Sequence, residues 1–112
     1  MQINDTVEES RTTWVLEGDD SFEKKDVELL YIALAMGGEV GELENLVKKF
    51  FRKRYYNKGH TIEDKLLLES MEGELADILY YTSRAADLLK IDLEKAFIKK
   101  MDENRKRYLA NK

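Results

Sequence analysis

Residues 27–51 read VELLYIALAMGGEVGELENLVKKFF. Within them Met36, Val40, Leu43, Val47, Phe50 and Phe51 recur at three- and four-residue steps, the spacing of a helix that buries one face. With Met36 at zero and about 100° per residue, Glu39 falls near 300°, between Leu46 at about 280° and Phe50 at about 320°, and Glu42 lies on the margin near 240°. An ionised carboxylate in that arc costs several kcal/mol unless a cation or a proton accompanies it.

Working outward, a second acidic pair stands in Glu74-Leu75-Ala76-Asp77. Leu68, Met71, Leu75, Ile78, Leu79 and Ala86 set the apolar arc of that helix, and Glu74, Asp77 and Tyr81 fall in a row along its edge. Two carboxylate pairs at i and i+3 on separate helices converge if the helices run antiparallel. They would then offer oxygen ligands to a hard divalent cation such as Mg²⁺ or Mn²⁺.

The chain of 112 residues has material for one domain, 1–112. It holds no proline, only six glycines and 38% charged residues, a composition that favours helices over a many-stranded sheet. Asn4 to Val15 reads as a short peripheral helix, with Ile3, Val7 and Trp14 on one face, and residues 17–21 read as a loop. A long second helix starts between Phe22 and Asp26 and ends near Arg54. Gly37, Gly38 and Gly41 inside it each cost on the order of 1 kcal/mol relative to alanine, so they call for a close neighbour or a bend. Tyr55 to His60 breaks the pattern as a loop, Thr61 with Asp64 resembles a helix start, and the third helix runs from about Ile62 to Leu89. Asp92 caps a fourth helix that continues to about Leu109. The expected fold is an all-α four-helix bundle. The apolar run Leu29 to Leu34 exceeds what one peripheral helix covers, which predicts a homo-oligomer, a tetramer of dimers before a lone dimer.

Composition also excludes. Without cysteine there are no disulfides and no thiolate metal sites. No apolar run approaches the roughly 20 residues that span a bilayer, and no secretory signal precedes the first helix, so a soluble cytoplasmic protein without a membrane partner is expected. A net charge of −4 argues against a nucleic-acid polymer as partner, although cations cluster at residues 48–58 and 99–107. The one histidine, His60, falls in a predicted loop, which leaves a di-iron bundle without its Glu-x-x-His ligands. On the fourth helix Lys100, Asn104 and Arg107 lie within about 40° of Leu93, with Tyr108 beside them. They form either a frayed surface or a row of donors aimed at a site.

Glu39-x-x-Glu42, then Glu74-x-x-Asp77, then Lys100-Met-Asp-Glu-Asn104-Arg-Lys-Arg107-Tyr108, together resemble the MazG-like branch of the all-α nucleoside triphosphate pyrophosphohydrolases. The match runs from about Val27 to Tyr108. The resemblance implies a four-helix unit, assembled as dimers or tetramers, that splits NTPs or dNTPs into monophosphate and pyrophosphate for nucleotide-pool housecleaning. It implies Glu39, Glu42, Glu74 and Asp77 as catalytic Mg²⁺ or Mn²⁺ ligands. By the same resemblance Tyr81, at the position where dCTP pyrophosphatase relatives carry a tyrosine beside the nucleotide, would bind substrate together with Lys100, Asn104 and Arg107. The connection from Leu43 to Gly73 is longer than is usual among such proteins and leaves Lys53, Arg54 and Lys58 as further phosphate-binding candidates. A non-enzymatic helical interaction or regulatory protein is the alternative, against which stands the placement of Glu39 in an apolar arc.

Overall fold

The computed structural model describes residues 2–14, 22–56 and 63–110. Among them are four helices and no strand: α1 (Ile3–Arg11), α2 (Phe22–Tyr56), α3 (Asp64–Leu88) and α4 (Leu93–Ala110). None is long and apolar enough to cross a membrane.

Local chemistry sets the ends. The Asp5 carboxylate accepts the Gln2 N–H at 2.8 Å and secures the start of α1. The helix stops at Arg11, short of the predicted Val15, because Thr12 and Thr13 follow. Both are β-branched, and Thr12 turns its hydroxyl back onto the Glu9 carbonyl at 2.8 Å. Trp14 lies beyond the helix yet is buried. At the other end of the body α3 closes with the Ile91 N–H on the Ala86 carbonyl and the Lys90 N–H on that of Asp87, a left-handed cap with Lys90 at φ 54°. Asp92 then caps α4 by accepting the Lys95 N–H at 3.1 Å. The predicted Thr61 start of α3, and the loop placement of Lys58 and His60, lie outside the described residues.

α2 and α3 form the body of the chain. Thr82 meets Met36, and Lys53 pairs with Asp64 at 3.0 Å, so the two run antiparallel. α1 lies across α3, held by Thr6 to Ser83 at 3.0 Å and by Thr13 to Tyr80 at 3.1 Å. The buried apolar set is small: Val7, Trp14, Ile32, Leu67 and Ala86. A polar network completes it. Arg84, 2% exposed, donates to Ser10 at 3.3 Å and to Asp87 at 3.0 Å, with its guanidinium 5.2 Å from the Trp14 ring. Asp87 also receives Arg11, and Glu28 accepts the Trp14 indole N–H.

A single chain does not close the expected bundle. α4 makes its main contacts with α1 and buries no residue. The radius of gyration is 17.8 Å, where about 13 Å suits a compact chain of this length. Val27, Leu30 and Leu34 on α2 and Leu75 and Leu79 on α3 remain exposed. α2 passes unbroken through Gly37, Gly38 and Gly41, and among the described residues no other part of the chain lies within 4 Å of where their Cβ atoms would stand. Among the described residues, then, no close neighbour accounts for these glycines.

Candidate metal centre

The antiparallel register brings the middle of α2 against the middle of α3, and there the acids meet. Glu39 from α2 and Glu74 and Asp77 from α3 place one carboxylate oxygen each within 4.8 Å of one another. Glu39 and Glu74 are half-buried, and Asp77 and Glu42 are exposed. Like charges at this separation repel, which disfavours ionising all of them together. The Glu74 carboxyl is accordingly raised from its ordinary 4.5 to about 7, first by its hydrogen bond to Glu39, then by burial, by a hydrogen bond to Glu42 and by both neighbouring charges. All four acids named from the sequence thus interact.

One oxygen of Glu39 and one of Glu74 are buried without a hydrogen-bond partner. An orphaned buried carboxylate oxygen is costly and calls for a donor or an ion. Oxygen ligands alone, from several neighbouring carboxyl groups, suit a hard divalent cation and match neither a thiolate-seeking nor an imidazole-seeking metal. The donor set therefore fits Mg²⁺ or Mn²⁺.

Tyr81, one turn beyond Asp77 on α3, is half-buried at the rim of the cluster. Burial, then Tyr31, Glu39 and Asp77, push its phenol above the ordinary value, so at neutral pH its hydroxyl is protonated and can donate. Lys100, Asn104 and Arg107 are not brought to the cluster within the chain. They sit on α4, where Lys100 faces Glu103 at 4.0 Å and Arg107 donates to Asn104 at 3.2 Å.

A polar network of Arg84, Asp87, Glu28 and Trp14 ties α1 and the start of α2 to α3, and nothing in the apolar periodicity announces it. Arg84 and Asp87 three apart on one helix, and Glu28 within an apolar run, were its available signals. Trp14, with Tyr31 and Tyr80 at 6.1 and 6.2 Å between ring centroids, belongs to the core.

Comparison with known proteins gives relatives of one kind. The chain is 38% identical over 77 residues to dCTP pyrophosphatase 1 of Rattus norvegicus, covering 69% of this chain and 44% of that protein. It is 35% identical over 80 residues to dCTP pyrophosphatase 1 of Homo sapiens, covering 71% and 45%. It therefore spans less than half the length of these curated relatives. No family model and no solved structure matches the chain.

Proposed function

We propose, on the premise that this chain is a homologue of the dCTP pyrophosphatases, a relation consistent with a MazG-like nucleoside triphosphate pyrophosphatase, that it hydrolyses a nucleoside or deoxynucleoside triphosphate to the monophosphate and pyrophosphate. The observation that carries this reading is the convergence of Glu39, Glu74 and Asp77 within 4.8 Å, with two buried carboxylate oxygens lacking partners. Glu39, Glu42, Glu74 and Asp77 would hold Mg²⁺, or Mn²⁺ in its stead. When bound, such an ion neutralises polyphosphate charge and makes water more acidic.

The chain's own residues do the rest. Water adds its oxygen to phosphorus, the anhydride P–O bond breaks, and the water's proton must go to a base. Glu42, exposed and the acid least engaged by the ion on this reading, would take it. Tyr81 offers a protonated hydroxyl to the nucleotide at the rim. Phosphoryl transfer depends mostly on positioning and charge, so few further groups are needed.

The cation-bearing face of α4 completes the substrate site from outside its own chain. The exposed apolar residues of α2 and α3 support assembly with further copies, as a homotetramer before a homodimer, and Lys100, Asn104 and Arg107 would then reach the acids of another copy. Nucleotide-pool housecleaning in the cytoplasm is the cellular use we assign.

Thermal melting in Mg²⁺, Mn²⁺ and Na⁺ tests the metal reading. A specific site at one hundred times its Kd stabilises by about 2.7 kcal/mol. Wild type should gain stability in the divalent ions and Glu39→Gln should not. An equal response of both proteins would overturn the site.

A further inference from the structure

We infer that the C-terminal end of α2 is a docking surface for single-stranded nucleic acid, separate from the carboxylate cluster. Residues 48–54, KKFFRKR, carry five cations and no acid in a chain whose net charge is −4. The overall charge therefore conceals a strongly basic segment. The helix holds its form through Tyr56, so these side chains are displayed on a rigid rod.

Three rings share that surface. Phe51, Tyr55 and Tyr56 are 47%, 68% and 61% exposed, and the Phe51 ring lies 4.8 Å from that of Tyr55 and 5.6 Å from that of Tyr56. Exposed aromatic rings clustered on one helix end are costly in water unless something stacks on them. By helical phase Lys48, Arg52, Phe51, Tyr55 and Tyr56 occupy one arc of about 140° over about 12 Å of helix. Among the described residues no ion pair engages Lys48 or Arg52, whereas Lys53, on the α3 side, is bridged to Asp64.

Cations and exposed rings on one arc match one class of ligand: phosphates to pair with Lys48 and Arg52, and unpaired bases to stack on the exposed rings, Tyr55 foremost. A duplex satisfies the cations but keeps its bases stacked inside, away from the rings. A second copy of the chain is the rival occupant. It is disfavoured because a two-fold contact would set this basic patch against itself. Leu30 and Leu34, which we assign to assembly, lie more than about 20 Å back along the same helix by its rise per residue.

The test is fluorescence anisotropy of labelled oligothymidylate and oligouridylate with the full chain, in EDTA and at about 50 mM salt, where phosphate contacts are strong. Melts and light scattering are run alongside to follow fold and mass. Both strands should bind saturably, with log affinity falling against log salt by about 0.7 for each phosphate engaged, and a duplex of equal length should bind at least about fivefold more weakly. Lys48→Glu with Arg52→Glu should weaken binding by about tenfold or more and flatten the salt slope; Lys48→Gln with Arg52→Gln serves if the reversed pair does not fold. Tyr55→Ser should weaken binding by about fivefold or more with the salt slope unchanged. Three results would each overturn the proposal: no binding by wild type, equal binding of duplex together with no effect of Tyr55→Ser, or a fall in molecular mass in the charge variants without any oligonucleotide binding, which would assign the patch to a second copy.

Discussion

Replacing Asp87 with asparagine removes the counter-charge of a guanidinium that water hardly reaches. Arg84 is 2% exposed and pairs with Asp87 at 3.0 Å, while the Asp87 side chain is 18% exposed. Breaking a buried pair by removing one partner costs about 3–5 kcal/mol, and the partial exposure of Asp87 places the change at the lower end, about 3 kcal/mol. The second partner, Arg11, is 46% exposed and adds little. An unfolding entropy of about 2.1 cal/mol/K per residue converts that loss to a fall of about 13 °C in Tm for a chain of 112 residues. Asp102→Asn, which loosens an exposed pair with Lys106 at 3.1 Å, is the control and should stay within about 0.5 kcal/mol. The assay is urea unfolding followed by circular dichroism at one fixed protein concentration. Because the Arg11 and Arg84 guanidinium groups together hold the Asp87 carboxyl below the ordinary carboxylate range, the contribution is present above that range and lost as pH falls through the lowered value. A loss below about 1 kcal/mol for Asp87→Asn at neutral pH would refute the reasoning.

Other consequences are as specific. Glu39→Gln and Asp77→Asn should each abolish nearly all turnover while leaving the metal-free fold intact or more stable in melts, since each removes a repelling charge. The Glu74 carboxyl, raised to about 7, keeps a proton that the unfolded chain releases near 4.5; metal-free stability should therefore fall as pH rises between these values, a trend that Glu74→Gln removes from melts across that range. Lys90→Gly relieves the left-handed cap of α3 and should stabilise by about 0.5–1 kcal/mol in urea unfolding. Asn104→Ala and Lys100→Ala should lower kcat/KM with melts unchanged, Lys100→Ala by about 10- to 150-fold for a charge-assisted contact of about 1.5–3 kcal/mol.

The helices themselves could be read from the sequence because apolar periodicity and capping residues act locally. The half-buried position of Glu39 follows from its phase alone. Where α1 stops was not legible, since the Thr12 hydroxyl competes for a backbone carbonyl that periodicity ignores. Nor was the path of α4. Lys100, Asn104 and Arg107 share a face by phase, but phase does not name the surface that face meets, and α4 buries none of its residues. Arg84 escaped notice for a related reason: a charge inside the core is viable only through partners from other elements, and Ser10, Asp87 and Trp14 come together only in three dimensions.

Pyrophosphate release from the common NTPs and dNTPs is the most direct measurement of the proposed activity. Wild type, Glu39→Gln and Asp77→Asn would be compared in Mg²⁺, in Mn²⁺ and after chelation. Wild type should release pyrophosphate and the matching monophosphate in equal amounts from at least one triphosphate, only with a divalent ion, and both variants should be nearly inactive. Full activity in both variants, or no pyrophosphate from any triphosphate with either ion, would contradict the assignment of this cluster to triphosphate hydrolysis.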